Sequence, residues 1–338
     1  MVAQPQISVV VVAYDRREFV AEALDSLAAQ DLEPALFEVV LCTNLPRASL
    51  RSRLEASRVT VLELPPGNWG EWILSALPKC RGNVLCFLDD DDWFEPAKLS
   101  HVRTAFERYP SVGYFHNRVR RVVQGSSPIG GLDARLLARS EGPGPGLVEN
   151  RNKDQRLLDR LFWGGGGFNL SAMAVRREVL LSLGPLTSEL QVGHALALFY
   201  AAALGPWDLY FEPAPLTRYR VHSTNSSVPF GSDVRTEFRR AVERGETVLR
   251  DSQRIAGLIE AAGRGRFSSD AVRSVGERTR LLRSFGPPGP SRVQLLHDLV
   301  EYLSLTPPRV AADQRGLLTA IALGLLSPRR AVAWLQRD

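Results

Sequence analysis

Residues 82–99 read GNVLCFLDDDDWFEPAKL. The run NVLCFLD (83–89) has the continuous apolar character of a strand buried on both faces. It ends in four successive aspartates, Asp89 to Asp92, whose charges repel one another. A single aspartate there would be a helix cap, because carboxylates favour helix N-termini and PAKLSHVRTAFERY (96–109) reads as a helix with proline in its first turn. Four of them point instead to a counter-charge.

The surrounding sequence alternates strand and helix. ISVVVVA (7–13), FEVVLCT (37–43) and RVTVLEL (58–64) read as buried strands, the last ended by Pro65-Pro66-Gly67. EFVAEALDSLAAQ (18–30) places Phe19, Ala23, Leu24 and Leu27 on one helical stripe, and a second helix runs from Trp69 to about Leu77. This alternation predicts a parallel sheet covered by helices, with ligands at the carboxyl ends of its strands. Tyr14-Asp15-Arg16, Thr43-Asn44 and Asp89 to Asp92 all fall on that edge.

Farther along, VGYFHNRVRRVVQ (112–124) reads as a longer strand and 125–150 as a loop-rich stretch with room for a short apolar helix. A helix is expected around 153–162, then the glycine run Gly164 to Gly167, a strand LSAMAVR (170–176) and a helix over about 194–204. DLYFE (208–212) and LTRYRVH (216–222) read as two short strands. After Ser227 the pattern changes to helices with Gly-Pro punctuation, including 237–262 and 292–305. The expected organisation is an α/β domain over 1–228 and a helical region over 229–338.

Acids at the ligand edge of such a sheet suit Mg2+ or Mn2+. These hard cations prefer oxygen and bind through one or two carboxylates while phosphates complete the shell. A metal there would also stabilise charge on a departing diphosphate.

Composition narrows the class. Apolar residues at 44% and charged residues at 23% are ordinary for a soluble globular chain. Of 42 basic residues only Lys79, Lys98 and Lys153 are lysine. The basic surplus lies in 231–338, with 18 arginines against 12 acids, whereas the first 230 residues carry 24 basic and 25 acidic groups. That surplus is either a solvated helical surface or an attraction to an anionic membrane or substrate. No dense basic stripe interleaved with aromatics argues for nucleic acid. Cys42, Cys80 and Cys86 are an odd set without Cys-x-x-Cys spacing, as expected of a reduced, cytoplasmic chain with no thiolate zinc site. The first residues lack a secretory leader, and no apolar run has the length of a spanning helix. GLLTAIALGLLSPRRAVAWLQRD (316–338) either rests peripherally on the inner face of a membrane, with Arg329, Arg330 and Trp334 at the boundary, or packs in a core or a dimer seam.

FLDDDDWFEPAKL, ISVVVVAYDRREFVAEALDSLAAQ and LTRYRVHSTNSS, taken together and in this order, resemble the inverting family 2 glycosyltransferases of the GT-A fold, over about residues 5–228. The resemblance implies a Rossmann-like, mostly parallel sheet flanked by helices, and a nucleotide-diphosphate-sugar donor lying across the strand ends. Asp89 and Asp91 match the two acids of the Asp-x-Asp motif, Asp91 on the metal and Asp89 toward the metal and the donor's ribose or sugar. Asp90 falls between them on the donor side, and Asp92 either assists or caps the following helix. His222 matches a histidine that approaches the metal or diphosphate, or else is a hydrogen-bonded strand-end residue. Ala13, Tyr14 and Arg16 match the loop beside the base, though Arg16 also reads as a solvated helix-start arginine. Trp93 is the best placed of three candidate sugar-stacking surfaces, with Trp69 and Trp163.

Two positions depart from the family pattern. Where relatives carry an acidic pair that reads the base, this chain has Thr43 and Asn44, which lack the charge-assisted bond and leave uracil in question. Where relatives carry the acidic general base, SELQVGHALALFYAAALG (188–205) places His194 after Gly193. Histidine is a competent base near neutral pH. The other readings are that His194 caps its helix with Glu189 the nearest acid, or that catalysis is lost and a sugar-nucleotide or glycan-binding module remains. The glycine run is either an acceptor-side loop that closes over the donor or a connector. The expected activity is metal-dependent transfer of a sugar, with inversion, to a hydroxyl on a glycan, a lipid-linked saccharide or a small molecule. A homo-oligomer is compatible with the helical region.

Overall fold

The structure, a computed structural model, describes residues 6–14, 17–46, 59–123, 146–222, 234–263, 267–286, 291–306 and 315–336. Arg16, most of the 125–150 stretch and the segment after His222 lie outside them. The chain divides after Thr224 into two compact units.

The first unit is built on one nine-stranded mixed sheet. Its strands are β1 (Ile7–Ala13), β2 (Phe37–Thr43), β3 (Val59–Glu63), β4 (Val84–Asp89), β5 (Trp93–Phe94), β6 (Val112–Val123), β7 (Gly146–Val148), β8 (Met173–Arg176) and β9 (Asp208–Val221). They lie in the order β3-β2-β1-β4-β8-β6-β9-β5, with β7 also on β9. The first four are parallel, as the strand–helix alternation predicts. Beyond them the mostly parallel sheet becomes mixed at β8, which runs antiparallel to both β4 and β6. The reason is local. The 3-10 turn Leu170–Ala172 sits at the carboxyl edge of β4, where the Asp89 N–H donates to Ser171 Oγ, so the chain can only run back down the sheet. The stretch expected to be strand from 170 therefore begins as this turn. DLYFE and LTRYRVH form one strand rather than two. The intervening prolines, Pro213 and Pro215, are absorbed by a slip in register opposite Asn117 and Arg118.

Helices α1 (Arg17–Ala28), α2 (Trp69–Ala76), α3 (Lys98–Arg108), α4 (Gln155–Trp163), α5 (Arg177–Ser182), α6 (Leu186–Glu189) and α7 (His194–Leu204) complete the unit. Helix α2 starts on a full capping box, with Asn68 and Glu71 satisfying each other's backbone. Val20, Leu24 and Leu27 of α1 and Leu99, Val102 and Phe106 of α3 pack in one core with Val9, Val11, Leu41 and Leu88 of the sheet. Side chains of this kind contribute roughly 1.5–3 kcal/mol each on full burial. The three cysteines are buried thiols, and burial pushes Cys42 and Cys86 up to about 12. They act as small hydrophobes.

The second unit consists of α8 (Val234–Gly263), α9 (Asp270–Arg283), α10 (Arg292–Leu305), α11 (Arg315–Leu326) and α12 (Pro328–Leu335). Phe238, Leu281, Phe285, Leu295, Tyr302, Leu317 and Ile321 form its core. Among the described residues no helix is long and apolar enough to cross a membrane.

His116 on β6 is buried, and its Nε2–H donates to the Phe168 carbonyl at 2.7 Å. Burial lowers its pKa from 6.5 to about 4. Between those values the unfolded chain binds the proton and the folded chain does not, so stability is full above pH 6.5 and falls as pH drops toward 4. His116→Gln keeps the donated bond and removes the titration. Urea denaturation at pH 7 and pH 4.5 is expected to show the wild type losing roughly 2 kcal/mol more than the variant.

Candidate functional site

The parallel register sets the site. Val12 pairs with Asp89 and Ala13 with Thr43, so β1, β2 and β4 end side by side. The chain leaving β4 then turns through Asp90, Asp91 and Asp92 before β5 pairs Trp93 with Arg218 of β9.

Asp89, Asp91 and Asp92 present carboxylate oxygens within 4.8 Å of one another. Each is held differently. Asp89 donates its N–H to Ser171 Oγ at 3.1 Å. Asp90 is turned inward, and its Oδ2 accepts the Tyr14 N–H at 3.0 Å, tying the β1 loop to the β4 loop. Asp91 Oδ2 lies 3.0 Å from His222 Nε2. Asp92 is 1% exposed, and both of its oxygens accept bonds, Oδ1 from the Arg220 N–H at 3.0 Å and Oδ2 from Asn169 Nδ2 at 3.2 Å. The helix-cap reading of this acidic stretch fails. Helix α3 begins only at Lys98, with Ala97 at its N-cap and no side-chain cap bond.

Arg220 clamps the turn from the opposite side. Its Nε donates to the Asp91 carbonyl at 3.0 Å and its guanidinium pairs with Glu22. The same guanidinium lies over Phe19 and Trp93, 4.6 Å from each ring centre. One face of Trp93, expected as a sugar-stacking surface, therefore carries an arginine.

The electrostatics suit a cation. Burial, then the charges of Asp91 and Asp89, push Asp92 well above the ordinary carboxylate range. Asp92 is committed to the protein by its two accepted bonds. Asp89 and Asp91, with His222 beside them, have the donor chemistry of a Mn2+ or Mg2+ site, and a divalent ion would relieve the repulsion that raises Asp92. The residues present fit the metal that the sequence implies.

The other expected residues are more scattered. Ala13 and Thr43 are buried at the strand ends, and Thr43 Oγ1 accepts the Leu45 N–H at 3.0 Å. Asn44 is half-buried. Tyr14 is 39% exposed, with its ring 5.5 Å from that of Trp72. His194 opens α7 and is buried, its ring 4.8 Å from that of Trp69 and its Nε2–H donating to the Thr187 carbonyl at 3.2 Å. Trp69 in turn meets Phe87 of β4. Gly70 permits this packing, since a Cβ there would fall 1.7 Å from the Thr187 oxygen. Glu189 is exposed at the end of α6.

The glycine run is a helix cap. Gly165, at φ 85°, donates to the Phe162 carbonyl and Gly166 to the Leu161 carbonyl, a Schellman closure of α4. Gly166 then accepts the Tyr114 hydroxyl. Only a glycine fits Gly165 without strain, and the run is packed where a closing loop was one expectation.

Sequence reading had not assigned Arg220, Asn169, Ser171 or Glu22 to the site. The one available signal was an asparagine after a glycine run. Asn169 is the one non-glycine residue at positive φ among the described residues, and asparagine tolerates such backbone better than most.

The sequence matches Glycosyl transferase family 2 over residues 8–184, and the chain belongs to that family. Among solved structures, residues 1–349 of S. aureus TarS in complex with UDP-GlcNAc align with a TM-score of 0.50 at 16% identity, over 98% of this chain and 89% of that one. The mannosyltransferase PcManGT from Pyrobaculum calidifontis, in complex with GDP-Man and Mn2+, aligns with a TM-score of 0.53 at 16% identity, over 96% and 88%. At such identity the likeness establishes the fold, the mixed α/β GT-A arrangement with a C-terminal helical region. No curated protein sequence matches.

Asn169 serves both backbone and carboxylate, and the two roles separate by mutation. Asn169→Gly keeps the φ of 63° and loses the amide bonded to Asp92, whereas Asn169→Ala loses both. The alanine variant is expected to be less stable than the glycine variant by about 1–2 kcal/mol in urea denaturation.

Proposed function

We propose that this protein is a metal-dependent glycosyltransferase that moves a sugar from a nucleotide-diphosphate-sugar to an acceptor hydroxyl with inversion. The observation that carries the reading is the set of three carboxylates within 4.8 Å at the carboxyl edge of a family 2 sheet. Asp89 and Asp91 would hold Mn2+ or Mg2+, which when bound stabilises negative charge on a departing diphosphate. The donor lies across the ends of β1, β2 and β4, its base beside Ala13, Tyr14, Thr43 and Asn44. UDP-GlcNAc and GDP-Man in the structural neighbours make nucleotide-sugars of both base types the first donors to test.

His194 is the proposed general base. Its hydrogen bond to the Thr187 carbonyl sets the tautomer in which Nδ1 is the proton-accepting nitrogen. The acceptor hydroxyl gives its proton to His194, its oxygen bonds to the anomeric carbon from the opposite face, and the nucleoside diphosphate leaves with the electron pair of the broken bond. The burial of His194 favours a second reading, a sugar-nucleotide or glycan-binding module without turnover.

One set of measurements tests all of this. Calorimetry of UDP- and GDP-sugars with and without Mn2+ is expected to show metal-dependent binding in the wild type and none in Asp91→Asn. His194→Ala is expected to bind donor normally and lose at least a hundredfold in transfer rate. Equal transfer by wild type and His194→Ala would remove His194 from the chemistry. Binding without transfer in both would establish the second reading.

The helical unit, within the proposed 229–338 region, is proposed to meet an anionic membrane surface, which suits a lipid-linked acceptor and a cytoplasmic, peripheral location. Val293, Leu296, Val300 and Leu303 form an exposed stripe along α10, from 43% to 80% accessible. Arg292 at its start donates to the carbonyl of Leu326, itself 77% exposed, and Arg329 and Arg330 are exposed just beyond. Exposed apolar side chains with arginine at one end complement anionic headgroups. Trp334, read either at a membrane boundary or in a core, packs against this unit's core beneath Arg235. The full chain is expected to float with phosphatidylglycerol vesicles and not with phosphatidylcholine ones, and Val293→Ser/Leu326→Ser to remain behind. A wild type that floats with neither and elutes as a dimer, which the double variant abolishes, would assign the stripe to a second copy.

A further inference from the structure

We propose that Lys98 is a positioning residue for the metal-binding loop, acting through the turn 169–172 that holds Asp89 and Asp92. The inference rests on the metal reading of Asp89 and Asp91.

Lys98 opens α3 and is wholly buried. A leucine would fill such a place at less cost, because a buried ammonium loses its hydration. Burial draws its pKa down to about 7. What the ammonium gains is a set of directed contacts. It donates to Asn117 Oδ1 and, at 3.1 Å, to the Ala172 carbonyl, and it lies 5.2 Å from the ring centres of both Phe94 and Phe115.

Those contacts lead to the acidic loop by two routes. Asn117 Nδ2 donates to Thr217 Oγ1 at 3.1 Å, and Thr217 donates to the Ser171 carbonyl at 3.0 Å. Ser171 Oγ accepts the Asp89 N–H. On the other side the Ala172 N–H donates to Asn169 Oδ1, and the Asn169 amide donates to Asp92. Lys98 therefore grips two successive residues of one short turn, Ala172 directly and Ser171 by way of Asn117 and Thr217. That turn is bonded to two members of the carboxylate cluster. Lys98 also follows the aspartates by only a few residues on the same segment, so the lattice closes the loop on itself.

Composition adds an independent argument. Nearly every basic position in this chain is arginine, yet two of its three lysines, Lys98 and Lys153, are buried. Lys153 donates to the carbonyls of Ala202, Gly205 and Trp207. Both sites bundle backbone carbonyls or an amide around one point, which a compact ammonium on a thin stem satisfies and a planar guanidinium fork does not.

The test uses the full chain and Mn2+ alone, read by electron paramagnetic resonance of the unbound ion. Lys98→Met/Asn117→Leu replaces both partners with apolar side chains of similar volume, which removes the buried charge but takes donors from the Ala172 carbonyl and the Thr217 hydroxyl. It is expected to remain folded, with a lowered melting temperature, and to weaken Mn2+ binding about tenfold, the scale for lost outer-shell partners. Adding Ser171→Ala to it is expected to cost much less than Ser171→Ala costs alone, since the residues act in one chain. A folded double variant with wild-type Mn2+ affinity, or an additive Ser171→Ala effect, overturns the proposal. Should the double variant fail to fold, Thr217→Val keeps the side-chain shape and cuts the Asn117–Ser171 route, and unchanged Mn2+ affinity there overturns it equally. A wild type that binds no Mn2+ overturns the metal reading, and this inference with it.

Discussion

The first unit is organised around mutual repulsion among carboxylates at one strand end. Three of them stand within 4.8 Å, and one is buried to 1% exposure. Such a cluster survives only if donors are held rigidly against it. Those donors come from far along the chain: the backbone of Tyr14, the amide of Asn169 and the backbone of Arg220. Arg220 and Glu22, paired across the clamp, are 198 residues apart. The sheet order follows from the same demand. β8 turns back because its preceding turn is fastened to the end of β4.

The site divides its labour by hydrogen bonding. Asp90 and Asp92 are spent on the protein, one tying the β1 loop and the other accepting two bonds. Asp89 and Asp91, at the Asp-x-Asp spacing, complete the carboxylate cluster with Asp92. Arg220 covers Trp93, which leaves the aromatic ring as a platform for the arginine.

Much of this was legible without coordinates. Buried strands announce themselves as uninterrupted β-branched runs, and β1, β2 and β4 follow those runs to within a residue. Helix α7 and helix α10 coincide with their apolar patterns and their flanking glycine or serine. Four aspartates after an apolar strand identified the acidic edge, because local charge density is a property of the chain itself. Strand direction was different. A four-residue strand such as β8 carries too few residues to declare its direction, and DLYFEPAPLTRYRV looks broken by its prolines until a partner strand absorbs them by a register slip.

By its own pattern, then, the sequence determined the parallel half of the sheet, the acidic edge and the family. Each of these depends on neighbours in the chain, through periodicity, propensity and the repulsion of adjacent charges. Only the tertiary structure decided which aspartates face inward, that Asn169, Ser171 and Arg220 hold them, and that the glycine run is a packed helix cap. Hydrogen bonds between residues a hundred or more positions apart leave no periodic trace, and the same lysine or arginine reads as surface charge until the fold shows what surrounds it.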